Sequence, residues 1–460
     1  MRPPAGRPPL DHAGALGDRP VGRLLWHSWT QTTLSVGIYG VYALTNAWFV
    51  AHGVGDSAMA AVNLATPVLT LTAALAATVG IGGASLVSRS LGAGDTAGAA
   101  RAAGNAFVLF WACAIAVTAT GLAALGPLLA ILGAHGALRA TAGAYATVLL
   151  SGTVAGTGFS SLVRAEGRMR FSTLLWLVPV AVQMTLDPVL IYGLHLGVRG
   201  AALGTVGGQA VSAAMSMWFF FLQRHRPYRV TARDLRPHPP TIRALISLGA
   251  PSFLTGIGAT ILVALVNATL ARAGSATALA AYAVCARIQT FTTMPHAGIS
   301  QGTQPVVGYN YGQSRPDRAL RARTLALRAS AVYGALAAAT VTVFARPLVT
   351  AFVTDPAIAA SATRALRIIA LAIATAGITP LASGYFQSLG RPRPSYLLSL
   401  GTLLIFKIPL VIAGGHFSIT GIWLALALGE VASAVMALIT LRRCGRPGGR
   451  ISPAARPASA

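Results

Sequence analysis

Three ionisable side chains sit well inside long apolar runs of this 460-residue chain: Asp187, Lys407 and Glu430. Charge in hydrocarbon is costly, so each marks a functional position by default. A carboxyl group there can hold a cation, or it can take up and release a proton. Asp187 precedes Pro188, which leaves a plainer alternative: its carboxylate satisfies backbone N–H groups that the proline has freed. Lys407 and Glu430 have opposite charge, and their predicted depths are about 13 and 16 Å at 1.5 Å per residue. They form an ion pair if their helices are neighbours. That pair is either a fixed structural link, or Glu430 is a substrate-cation or second proton site. The other acids (Asp11, Asp18, Asp56, Asp95, Glu166, Asp234, Asp317 and Asp355) fall in predicted tails and loops.

Other chemistries find no pattern. The nine histidines include no HxxxH pair, and His195 and His416 fall at helix ends, where capping explains them. Cys113, Cys285 and Cys444 match no zinc or disulfide spacing. No phosphate-cradling motif is present, which argues against direct ATP drive. The sequence implies no metal and no cofactor.

The elements that must position these groups follow from composition. Apolar residues make up 54% of the chain and charged residues 10%, against about 25% charged in a soluble domain. An ordinary soluble enzyme is excluded. The net charge of +25 would suit a nucleic-acid partner, but a mean hydropathy of +0.65 does not; basic flanks of membrane helices explain both numbers. Runs near 20 residues span a bilayer as helices, and twelve are predicted: 30–51, 58–88, 102–125, 139–163, 171–193, 198–223, 246–271, 277–306, 325–345, 360–389, 396–415 and 419–441. With the N-terminus inside, 27 of the 35 basic residues lie in inner loops and tails and four in outer loops. Both termini are therefore expected in the cytoplasm. The fold class is an all-α integral membrane protein with a six-span N-lobe (23–224), an interlobe linker (225–243) and a six-span C-lobe (244–443). The Pro- and Arg-rich ends, 1–22 and 444–460, read as unstructured tails.

The halves resemble each other. ALTNAWFVAHGVGDSAMAA (43–61) sits over ALVNATLARAGSATALAA (264–281), and DPVLIYGLHLGVRGAA (187–202) over IPLVIAGGHFSITGIW (408–423), at a steady offset of 220 or 221. An even number of spans gives both halves one orientation, so their pseudo-twofold axis runs along the membrane normal. Two lobes flanking a cleft suit alternating access. The repeat also makes Asn267 the mate of Asn46 and hence a cleft candidate, or else a helix-packing asparagine.

Several stretches resemble the multidrug and toxic compound extrusion (MATE) family, its bacterial drug/sodium-antiporter branch in particular. They are ATVGIGGASLVSRSLGAGDTAGAARAAGNAF (77–107), RAEGRMRF (164–171), LDPVLIYGLHLGVRGAALGT (186–205), MPHAGISQGTQPVVGYNYGQSRPDRAL (294–320) and GIWLALALGE (421–430). The resemblance implies a cation-coupled exporter of organic, often cationic, compounds. It also implies a polar coupling cluster in the first lobe, which falls on Asn46, Gln183, Asp187 and Thr205. Asp187, Asn46 and Thr205 lie at one depth, about 10 Å from the outer surface, with Gln183 one turn away. Asn46 stands where the family has an aspartate, and Gln183 where it has an asparagine. One carboxylate in place of two favours H⁺ over Na⁺, because a lone desolvated carboxyl prefers its protonated form. Singly, Asn46, Gln183 and Thr205 are equally explained as interhelical hydrogen bonds. Gln301, Gln304, Tyr309, Asn310 and Tyr311 become gating candidates, with interfacial aromatics and loop caps as the alternative.

The expected protein is therefore a monomeric secondary exporter in the cell membrane, with a small organic substrate, the lipid bilayer and no nucleic acid as partners. A flippase for lipid-linked oligosaccharides or lipids is the alternative, and an intramembrane enzyme a remote one.

Overall fold

The computed structural model describes residues 13–54, 56–131, 134–156, 159–223 and 226–445. Among the described residues twelve helical spans follow one another: α1 Val21–Gly53, α2 Asp56–Gly92, α3 Thr96–Ala123, α4 Gly136–Gly152 with a further turn-and-a-half Ser160–Ala165, α5 Met169–Gly193, α6 Gly197–Leu222, α7 Pro239–Arg272, α8 Ala276–Gly312, α9 Pro316–Val343, α10 Pro356–Ser388, α11 Pro392–Phe417 and α12 Ile419–Cys444. The predicted spans lie on these helices. Their ends carry the expected signals. Asp95 accepts from Gly98 N and Asp355 from Ala357 N, capping α3 and α10, while prolines start α7, α9 and α11.

The repeat is visible in the packing. Helix α4 lies against both α2 and α6, as α10 lies against α8 and α12; α5 pairs with α6, as α11 pairs with α12. The two six-helix lobes meet along α1 with α8 and along α2 with α7.

The apolar cores show which end of this seam is shut. One large core runs through both lobes at the end carrying the termini, joining Leu24, Phe107 and Phe159 to Leu245, Val306 and Phe386. At the opposite end the lobes keep separate cores, around Val50, Tyr145 and Ile191 in the first and Leu270, Ile369 and Trp423 in the second. The lobes are thus closed against each other on the termini face.

Residues 13–22, expected in an unstructured tail, are instead held in place: Leu16 is buried and its carbonyl accepts from Asn310 Nδ2 at 3.0 Å. An apolar side chain and a docked carbonyl hold this short segment down; residues 1–12 and 446–460 of the tails lie outside the described residues. Glu166 lies in a turn, as expected of a loop acid, and is fully buried with Arg226, whose Nε donates to it at 3.2 Å, and with Tyr228, whose hydroxyl donates at 2.6 Å. Burial and the Glu166 charge hold the Tyr228 phenol well above its usual range, so it stays a donor. This triad fastens the interlobe linker to the first lobe. Asn105 adds a second anchor: its Oδ1 accepts from His238 N at 2.7 Å, and its amide donates to Asp234 O at 3.1 Å. Glu166→Ala leaves Arg226 buried without its counter-charge, an expected cost of about 3–5 kcal/mol. The measurement is thermal unfolding in detergent, and an unchanged midpoint would show the pair to be dispensable.

Candidate coupling site and lobe seam

In the first lobe α1, α5 and α6 bring four polar residues together. Asp187, on the turn of α5 before Pro188, is 1% exposed. Proline removes a backbone donor, and the helix continues as a π-helical turn, Val189–Gly193, a local widening common at functional sites. Gln183, one turn earlier, donates from Nε2 to Thr205 Oγ1 at 2.9 Å and lies beside the Asp187 carboxyl. Gly204 on α6 lies under that carboxyl; any Cβ there would overlap Asp187 Oδ1. Asn46 is 9% exposed and lies beside Tyr145. Tyr42, one turn from Asn46 on α1, is 3.3 Å from Thr205 Oγ1. All four predicted residues thus share one buried cluster. Tyr42 and Tyr145, which the sequence reading missed, complete it.

Within the cluster, Asp187 Oδ1 and Asn46 Oδ1 are buried without a hydrogen-bond partner among the described residues. Two other acids are held inside the bundle, and both are paired: Glu166 with Arg226, and Glu430 with Lys407 at 2.5 Å. Asp187 has no basic partner among the described residues.

The second lobe is built differently. Lys407 ends a π-helical turn, Leu403–Lys407, just before Pro409, and reaches Glu430 on α12. Asn267, the repeat mate of Asn46, is exposed on α7 and takes no part in that pair.

Residues of the predicted gating stretch lie on the closed seam. Gln301 Oε1 accepts from Arg164 Nη2 of the other lobe at 3.1 Å, and Arg164 Nη1 is held by Ser172. Asn310 holds the Leu16 carbonyl, while its Oδ1 accepts from Arg318 Nε at 2.8 Å. Tyr309 packs beside Gly17, and Gln304 lies against Gly384 inside the second lobe. Further links come from Trp29 Nε1 to Thr303 at 2.9 Å and from Thr32 to Gly298 O at 2.6 Å. Glycines allow the backbones to touch: a Cβ on Gly249 of α7 would overlap Thr78 O of α2, and one on Gly82 would overlap Leu245 O.

The MatE family model matches residues 32–189 and 251–412, one stretch in each lobe. This chain belongs to the MatE family. Similar proteins include the multidrug export protein MepA of Staphylococcus haemolyticus, 25% identical with 86% of this chain and 88% of the relative covered. MepA of Staphylococcus aureus strain N315 is 27% identical, covering 91% and 93%. Among solved structures, an outward-facing multidrug resistance MATE transporter of the MOP superfamily superposes with a TM-score of 0.89 at 24% identity, covering 95% of this chain and 98% of that one. A MOP superfamily transporter from Pyrococcus furiosus gives 0.88 at 24% identity, with the same coverage. The MatE chain is a multi-pass membrane transporter and not an enzyme.

In this MatE protein the Lys407–Glu430 pair makes a clean test. If the pair is a structural link, Lys407→Met and Glu430→Gln each impair efflux and the double variant is no worse than either single one. The non-additivity is expected at roughly 0.5–3 kcal/mol for residues in contact. Strictly additive effects on efflux would show that the two act independently.

Proposed function

We propose that this MatE protein exports organic, cationic or amphipathic drug-like compounds in exchange for protons, with both termini in the cytoplasm and Asp187 as the coupling group. The reading rests on one observation: Asp187 is buried with an orphaned oxygen and no basic partner among the described residues, while Glu166 and Glu430 each have one. An ionised carboxylate in that setting is strongly disfavoured against its protonated form. Protonation neutralises the cluster, α5 repacks at Pro188 and its π-helical turn, and substrate is released on the side opposite the termini. Deprotonation towards the cytoplasm resets the site. The difference in substrate affinity between the two states drives the exchange. The substrate class is supported by the names of the MepA relatives. A flippase for anionic lipid-linked sugars fits less well, because Lys407, in the middle of the bundle, is already neutralised by Glu430.

Proteoliposomes with separately imposed gradients test this, with ethidium as the probe. A pH gradient alone is expected to drive efflux. If only a sodium gradient drives it, the proton assignment fails, with Asn46 and Thr205 oxygens then serving as sodium ligands.

A further inference from the structure

A cavity of about 850 Å³ opens on the side of the bundle, at the seam between the lobes. Its floor is α1 over α8, and its walls are α5 of one lobe and α9 of the other. Trp26, Leu34 and Val41 on α1 and Leu177 on α5 line it while remaining well exposed, so it faces lipid rather than the interlobe cleft. From Trp26 to Val41 the floor runs about 22 Å along the helix, more than the ~15 Å hydrocarbon depth of one leaflet. Gly37 sits towards its inner end, four residues before Val41, and a Cβ built there meets nothing within 4 Å.

The mouth of the groove, on the termini face, is basic. Arg23 precedes Trp26 and Thr30 by three and seven residues and so shares their face of α1. Arg170 precedes Leu177, Ala181 and Met184 by seven, eleven and fourteen, which places it above the α5 wall. Both arginines are exposed, and neither has a carboxylate within ion-pair distance among the described residues. His27, beside Trp26, feels the charges of Arg170 and Arg19, which places Arg170 and a third cation near this mouth. Such a mouth repels an organic cation and attracts a phosphate, and basic pockets between spanning helices hold anionic head groups.

We propose that this groove binds one anionic phospholipid of the leaflet on the termini face, with its acyl chains along α1 and its phosphate held by Arg23 and Arg170. Because α5 and α9 belong to different lobes, the lipid bridges the seam on its closed side.

Native mass spectrometry of the full-length protein in detergent, titrated with dioleoyl phosphatidylglycerol or dioleoyl phosphatidylcholine, tests the proposal. One phosphatidylglycerol is expected to bind with a preference of about thirtyfold, the scale two arginines near an anionic head group provide. Arg23→Gln with Arg170→Gln, both surface changes, removes the preference and leaves weak binding of either lipid. Gly37→Phe fills the floor and abolishes tight binding of both. Equal affinity of the parent protein for the two lipids overturns the proposal, as does undiminished phosphatidylglycerol binding in Gly37→Phe. Displacement of the lipid by ethidium at its transport concentration also overturns it, since the groove would then be a site for organic cations.

Discussion

Asp187→Asn lowers pH-gradient-driven ethidium efflux to the level of protein-free vesicles, while the protein still inserts and unfolds close to the parent temperature. Asparagine has nearly the shape of a protonated aspartate, so the fit over Gly204 and beside Gln183 survives. What is lost is the ability to exist in two charge states. A group locked in its neutral form cannot give substrate different affinities on the two sides, and a ligand that does not distinguish the states moves no equilibrium. Transport assays in proteoliposomes check this directly. If the variant transports at the parent rate, Asp187 only caps the α5 break and the coupling group lies elsewhere.

The second large effect is conformational. Gly249→Val drives a side chain into the Thr78 carbonyl across the α2–α7 contact, and the backbone oxygen cannot step aside. Overpacking of this kind costs about 1–3 kcal/mol, which lowers the population of the closed seam by roughly 5- to 150-fold. Spin labels at Leu174→Cys and Arg321→Cys, exposed positions on α5 and α9, read the outcome once Cys113, Cys285 and Cys444 are replaced by serine. The distance distribution is expected to broaden and lengthen, with efflux reduced. An unchanged distribution at normal stability would mean that α2 and α7 do not have to touch when the termini face is shut. Gly82→Ala, against Leu245 O, provides a smaller perturbation of the same contact.

Much of this was legible in the sequence because hydrocarbon makes charge conspicuous. Asp187 stood out in an apolar run, and rise per residue placed Asn46 and Thr205 level with it. Helix rotation was not legible. Tyr42 is one turn from Asn46, but nothing in the apolar pattern showed which face of α1 looks towards α6. Tyr145 joins from α4, a helix whose neighbours no depth argument identifies. The repeat offset predicted the architecture correctly and the chemistry only partly: Asn267 matches Asn46 by position yet is exposed, because the repeat preserves packing while the polar residues of each lobe have diverged. Glu166 looked like any loop acid, since its partners Arg226 and Tyr228 are about 60 residues away and their pairing depends on how the linker folds back. The second acid–base pair was foreseeable because both members lie in spans at similar depth.

The pinned linker has a mechanical consequence. His238 N is bonded to Asn105 of α3, and α7 begins at the very next residue, Pro239. No slack chain separates the first lobe from the second, so residue 239 is a pivot rather than a tether. From it α7 extends 34 residues, a lever arm of about 50 Å. A swing of only ~10° about that point carries the far tip through roughly 9 Å of arc and Gly249, about 15 Å from the pivot, through roughly 2.6 Å, enough to part it from Thr78.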